Sequence, residues 1–231
     1  MSARKIVVPG EVLGEHVEGK YPYILEDEGV KRATVIGALD EREDKATFSP
    51  LEGVYIPKPG DVVIGIISGI GVTNWFVDIN SPYTAVLNVQ DFLGRPYNPA
   101  TDDLSRILAI GDYIKAKIAA FDRSRSPLLT VQEEGLGRIV EGKVIEVKPT
   151  RIPRIIGRKR SMISMLAEET GCEIFAAVNG RIHIKCPNED LEAILVMAIR
   201  TIEREPHRYG LTEHIRKLIQ QEKLVRGVEV G

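Results

Sequence analysis

Three patterns of apolar and polar positions succeed one another along the chain. Up to about residue 58, apolar residues come in short β-prone runs: Ile6-Val7-Val8, Tyr23-Ile24-Leu25 and Val30 to Leu39. Turn residues such as Glu26-Asp27-Glu28-Gly29 separate them, and no useful helical period appears. Five strand candidates follow: Val62 to Ile67, Asn74 to Ile79, Thr84 to Val89, Tyr113 to Phe121 and Leu128 to Val131. A longer excursion, Gln90 to Gly111, lies between the third and fourth. The period then becomes mixed. Ile139 to Val147 predicts a strand, and Pro153 to Ile156 one helical turn. Ser161 caps a helix with Met162, Ile163, Leu166 and Ala167 at helical spacing, ending at Gly171. A hairpin from Cys172 to Cys186 turns at Asn179-Gly180, and a long helix runs from about Asn188 to Arg204.

Pro and Gly punctuate the chain at residues 55–61, 133–137 and 206–210. The segments they define are a β-rich region 1–58, a second module 59–134, a third module 135–205 and a helical tail 206–231. Pro9-Gly10-Glu11-Val12, Pro59-Gly60-Asp61-Val62 and Ile110-Gly111-Asp112-Tyr113 look like a repeat. The sequence between them does not match, so the reading is one turn chemistry placed before three different strands.

Five strands with one long connection is the plan of an OB-fold barrel. The order βααββα in residues 135–205 is that of a KH domain. The fold class is therefore multidomain, mainly β and then α+β: a β-rich N-terminal domain, a five-stranded barrel, a KH domain and a helical tail. Strand alternation puts Trp75, Val77 and Ile79 on one face, with Asn74, Phe76 and Asp78 on the other. Likewise Ile114, Ala116 and Ile118 oppose Tyr113, Lys115 and Lys117. An outer surface holding Phe76, Lys115 and Lys117 combines a stacking ring with cations, as single-stranded nucleic acid requires. A core Phe76 with solubilising lysines is the alternative.

In the hairpin, pairing Cys172, Ile174 and Ala176 with Ile182, Ile184 and Cys186 needs a three-residue loop, Val178-Asn179-Gly180, with Gly180 left-handed. That register faces two cysteines across the pair. The expectation is two buried thiols, a disulfide being the less favoured outcome because nothing marks the chain for export.

Charge sharpens the picture. The 231 residues carry 31 Lys+Arg against 33 Asp+Glu, a net charge of −2. Such a balance argues against coating nucleic acid with the whole surface, but not against a local patch. Residues 1–60 hold 8 basic and 11 acidic side chains, whereas residues 138–160 hold 8 basic and 2 acidic. Within the latter, Gly157, Arg158, Lys159 and Arg160 fall between two helices, where a KH domain grips RNA phosphates with backbone N–H groups and a helix N-terminus. The generic KH pattern wants glycine at the fourth position, where Arg160 stands; this favours phosphate contact over a tight base-specific clamp. A nuclear-localisation run and a solvated turn are the alternatives.

The remaining chemistry is mostly exclusion. No apolar run nears the roughly 20 residues of a membrane helix, and the N-terminal apolar run is too short for a signal peptide. Four histidines and two cysteines are too scattered for a zinc module. The acidic stretch Asp40 to Asp44 suits a solvated hairpin tip better than a metal site. Asp102-Asp103 and Glu133-Glu134 lack accompanying histidines, and no Ser-His-Asp, H-E-x-x-H or phosphate-cradling glycine motif occurs. Neither catalysis nor a cofactor is expected.

Pro59-Gly60-Asp61-Val62-Val63-Ile64-Gly65 resembles the opening of an S1-type OB domain, and Val178-Asn179-Gly180-Arg181-Ile182 resembles a G-x-N-G signature with Ala177 in place of its first glycine. Together with the domain order, these residues make the chain resemble the RNA-binding cap subunits of the archaeal RNA exosome, of the ribosomal-RNA-processing-protein-four type. The similarity runs from Val8-Pro9-Gly10 to about Leu224. It implies a non-catalytic role in which three caps sit on a hexameric ring of RNase PH-like subunits and guide single-stranded RNA into a central pore. The N-terminal domain would dock on the ring, while Arg95, Arg123 and Arg125 of the barrel loops would face the pore. A cytoplasmic location without membrane contact accompanies this reading. A ribosome-associated or translational RNA-binding protein is the rival, though it leaves the non-basic first module without a task.

Overall fold

The computed structural model describes residues 3–14, 17–18, 23–42, 45–99, 102–206 and 208–228. The chain divides into two compact units, residues 1–54 and 55–231. In the first, the described residues form seven short strands in two sheets: β1 (Ala3–Val7), β2 (Val12–Leu13), β3 (Val17–Glu18), β4 (Ile24–Asp27), β5 (Val30–Ala33), β6 (Gly37–Arg42) and β7 (Lys45–Pro50). The sheet orders are β1-β6-β7-β3 and β2-β5-β4. The run expected from Val30 to Leu39 is thus two strands in different sheets. Val7, Leu13, Val17, Leu39 and Phe48 are buried between the turns as a small core. Asp40 to Arg42 end β6, opposite Lys45 to Thr47, while Glu43 and Asp44 lie outside the described residues.

The second unit opens with the barrel: β8 (Val62–Ile70), β9 (Asn74–Asp78), β10 (Thr84–Asn88), α1 (Val89–Leu93), α2 (Leu104–Ile107), β11 (Tyr113–Ala120) and β12 (Leu128–Thr130). Strand order β12-β10-β9-β8-β11 closes because β12 also pairs with β11. Trp75, Val77, Ile114, Ala116 and Ile118 point inward with no exposed surface, as alternation requires. Tyr55 belongs to the same core, its hydroxyl donating to Asp61 at 2.8 Å. The excursion after β10 contains both short helices. At Gly10, Gly60 and Gly111, φ is 87°, 91° and 94°, and in each case the next residue's N–H donates to the carbonyl three residues earlier. One glycine-dependent turn is therefore used three times.

The expected strand from Ile139 to Val147 is split. Gly137–Arg138 (β13) pairs with β11 of the barrel, whereas β14 (Lys143–Glu146) opens the third module. Gly142, at φ 85°, turns the chain between the two sheets. The rest follows as α3 (Ile152–Ile156), α4 (Ser161–Thr170), β15 (Glu173–Ala176), β16 (Arg181–Lys185), α5 (Glu189–Arg204) and α6 (Leu211–Arg226). Strand order is β14-β16-β15, and α6 adds Leu211, Ile215 and Ile219 to the core between sheet and helices. Asn188 caps α5, accepting the Leu191 N–H at 2.8 Å. Ser161 does not cap α4: it is the first helical residue, and Arg160 occupies the cap position with no side-chain bond.

The hairpin has the expected register and three-residue loop, with Gly180 at φ 87°. The cysteines, however, are joined as a disulfide instead of remaining thiols. Ala177 and Arg181 form a hydrogen-bonded pair, so Cys172 and Cys186 fall on a non-hydrogen-bonded rung, where the backbones approach most closely. Their Cα atoms are 4.3 Å apart, which brings the two sulfurs within bonding reach.

The hairpin loop fastens this module to the barrel. β9 stops at Asp78, opposite Ile66, leaving the outward N–H and C=O of Ile64 without a strand partner. Asn179, with no exposed surface, supplies one: Nδ2 donates to the Ile64 carbonyl at 2.8 Å and to the Ile79 carbonyl at 2.9 Å, and Oδ1 accepts the Ile64 N–H at 3.3 Å. Arg181, 2% exposed, donates to the Asp78 carbonyl and carboxylate, both at 2.6 Å, and to Glu146 at 2.8 Å.

Candidate nucleic-acid interface

The basic loop begins where α3 ends. Gly157 has φ 76° and ψ 168°, and a Cβ there would lie 2.7 Å from the Met162 nitrogen. Only glycine allows α4 to start this close behind α3. Lys159 and Arg160 then adopt left-handed backbone, at φ 52° and 65°. The fourth position keeps the conformation a glycine would prefer, at a cost of about 1–2 kcal/mol for the side chain that replaces it. Arg158, Lys159 and Arg160 are all exposed, and among the described residues no carboxylate pairs with any of them. They stand at the start of the ten-residue α4, whose first N–H groups have no side-chain cap. The arrangement presents three charges and a helix N-terminus to an anion.

Phe76 lies on the outer face of the barrel, 43% exposed, its ring over Gly69, where a Cβ would meet it at 3.3 Å. The expected grouping with Lys115 and Lys117 does not form. Phe76 is opposite Gly69 on β8, whereas Lys115 is opposite Ile64 and Lys117 opposite Val62. That separates the ring along the strand by roughly 15 Å from Lys115 and by more than about 20 Å from Lys117. The hairpin loop covers the ground between, through Asn179 at Ile64. Lys115 instead lies 3.6 Å above the centre of the Phe175 ring, a residue of β15 that strand patterning does not mark as functional. Burial pushes its ammonium below the usual lysine range. Lys117 is paired with Glu133 at 2.5 Å.

The barrel register gives Phe76 other neighbours. It opposes Val86 on β10, and Val86 opposes Leu128 on β12, a half-buried row running across three strands. The segment leading into Leu128 carries Arg123 and Arg125. Its conformation is fixed by Asp122, which accepts the Ser124 hydroxyl at 2.8 Å and the Ser124 N–H at 3.0 Å. Those bonds, with Arg125 nearby, hold the Asp122 carboxyl below its ordinary range. Arg123 itself is left-handed, at φ 67°. Phe76 thus shares a face with the Arg123–Arg125 loop.

Arg95 stands apart from that loop. It follows β10 and α1, while the Arg123–Arg125 loop precedes β12, which runs parallel to β10, so the two leave opposite ends of the barrel. Its guanidinium is committed to Asp102 through two bonds, at 2.8 and 2.6 Å.

A closed S1-type barrel stitched to a KH domain defines a class of nucleic-acid-binding protein. Residues 54–120 match the RRP4 S1-domain family, and residues 142–190 match a KH-domain family. The exosome complex component Rrp4 of Aeropyrum pernix is 60% identical over 228 residues, covering 98% of this chain and 97% of the relative. That of Ignisphaera aggregans is 45% identical over 238 residues, covering 98% and 94%. A crystal structure of an exosome-complex RNA-binding protein is 63% identical, with a TM-score of 0.73, covering 75% of this chain and 99% of that one. The chain belongs to the Rrp4 family of exosome complex components. Among the described residues no helix is long and apolar enough to cross a membrane.

Proposed function

We propose that this chain is a non-catalytic RNA-binding subunit of an exosome complex, holding single-stranded RNA for degradation by other subunits. The observation that carries this reading is the Arg158-Lys159-Arg160 loop: exposed, unpaired with any carboxylate among the described residues, and placed at the start of α4. Such a loop suits phosphates and lacks the converging carboxylates and histidines of a nuclease. Phe76, with Arg123 and Arg125 beside its row, forms a second contact, able to stack a base while guanidinium groups hold the backbone. Lys115, over the Phe175 ring, contributes positive potential more than direct contact, and Lys117, its charge matched by Glu133, contributes little. Arg95 contributes less, its charge being matched by Asp102.

In the finer version of this reading, three copies cap a hexameric ring of RNase PH-like subunits in the cytoplasm. Residues 1–58 dock on that ring, 59–134 surround the pore entrance, and 135–205 with the tail 206–231 lie outside. Affinity purification of the full chain followed by mass spectrometry tests it. Recovery of ring subunits is the expected result, whereas ribosomal particles in their place would overturn it.

A further inference from the structure

The turn between α5 and α6 holds an aromatic ring beside the basic end of the KH fold. Its described residues are bonded on both sides of Tyr209. The Arg208 N–H donates to the Glu205 carbonyl at 3.2 Å, and the Arg208 guanidinium pairs with the Glu205 carboxylate at 2.7 Å. Gly210, left-handed at φ 65°, starts α6, and its carbonyl accepts the His214 N–H at 3.0 Å. From α3, the Arg154 guanidinium reaches this turn and lies 3.5 Å from the Arg208 carbonyl. Tyr209 is the next residue, and its exposure is complete, at 103%. The ring therefore adds nothing to the core.

The segment whose Arg154 reaches this turn is cationic. From Val147 to Ala167 the sequence contains no acidic side chain but has Lys148, Arg151, Arg154, Arg158, Lys159 and Arg160. Arg154 precedes Arg158 by four residues, across the break at Gly157, and its guanidinium is the group of this basic stretch that reaches the turn bearing Tyr209. Cations that hold a backbone, with a flat exposed ring next to them, are the two components of a single-strand site.

We propose that Tyr209 is a base-stacking platform for single-stranded RNA whose phosphates are held by Arg154 and the Arg158-Lys159-Arg160 loop. The inference rests on the reading that this loop contacts RNA. Stacking reads the face of a base and not its edge, so it tolerates any base and favours purines, whose faces are larger. It supplies the KH module with a base contact that its charged loop lacks.

The test uses the full chain and anisotropy titrations of labelled oligo(A) and oligo(U) at several salt concentrations. Tyr209→Ala and Tyr209→Leu should weaken oligo(A) binding on the order of tenfold and oligo(U) less, with unchanged salt slopes, while Tyr209→Phe should bind as the parent does. Because the side chain touches nothing, thermal midpoints should not move. The Arg158→Ala/Lys159→Ala double variant separates the two readings. If it weakens binding and flattens the salt slope while Tyr209→Ala binds like the parent, stacking is overturned and the role of the loop stands. If neither variant changes binding, both are overturned. Retention of full affinity by Tyr209→Leu would also overturn stacking, since a non-aromatic side chain would then suffice. So would loss of ring-subunit co-purification in Tyr209→Ala with RNA affinity unchanged, which would make Tyr209 a protein-binding residue.

Discussion

The side-chain amide of Asn179 pairs with the peptide of Ile64, 115 residues away in sequence, as though it were one more residue of β9. The barrel and the KH module are thereby held as neighbours through main-chain groups that the barrel leaves open. Removing the amide strands the Ile64 N–H and the Ile79 carbonyl in a buried seam, each at about 1–3 kcal/mol, while the Ile64 carbonyl keeps the Arg181 guanidinium at 3.3 Å. Asn179→Ala should therefore lower stability on the order of 3 kcal/mol in urea denaturation. Asn179→Asp, which keeps the shape but loses both donors, should be no better. A loss below about 0.5 kcal/mol for both would show that the seam is wet and weak.

The basic loop should act through phosphates. Replacing Arg158 and Lys159 with alanine should weaken poly(A) and mixed-sequence RNA equally. The salt slope should fall by roughly 0.7 for each phosphate of a single strand that is no longer neutralised. Selective weakening of one sequence would point to base recognition instead.

Phe76 should behave differently. Phe76→Ala should cost on the order of 1–3 kcal/mol of RNA binding with no change in salt slope, and Phe76→Trp should restore it. An unaltered affinity in the alanine variant would leave Phe76 as a partly covered surface residue lying over Gly69.

Arg160→Gly separates backbone strain from charge. Glycine accepts φ 65° without steric cost, so the variant should gain about 1 kcal/mol in thermal or urea unfolding. RNA affinity should nevertheless fall, with a slope lower by roughly 0.7, because one phosphate is left without its guanidinium. Tighter and more selective binding would mean that the Arg160 side chain obstructs a base clamp.

The disulfide closes a 15-residue loop, as Cys172 and Cys186 are 14 positions apart. In the chain-entropy description such a link is worth about 3 kcal/mol. Cys172→Ala/Cys186→Ala, or reduction of the parent, should lower the thermal midpoint accordingly. Equal midpoints with and without reductant would show that the link constrains nothing beyond the hairpin.

Local rules were enough for much of this molecule. Alternation in Asn74 to Asp78 and in Tyr113 to Ala120 assigned inward and outward residues correctly, since a strand's side chains alternate whatever lies around it. The turn glycines Gly10, Gly60 and Gly111, the left-handed Gly180 and the break at Gly157 were likewise legible, because each is a backbone requirement of its own few residues. Tertiary structure decided what those residues meet. Alternation gives a face but not a height, so Phe76, Lys115 and Lys117 shared a surface in sequence and proved far apart once pairing with β8 set their levels. Asn179 was visible as part of a signature, yet its partner is a peptide left open only because β9 ends at Asp78. Whether the cysteines bond depended on which rung of the hairpin they share, which follows from the hydrogen-bond phase set by Ala177 and Arg181. Tyr209 carried no signal at all. Its neighbour Arg154 is more than 50 residues away, and only the packing of α6 against α4 and α5 brings the turn there.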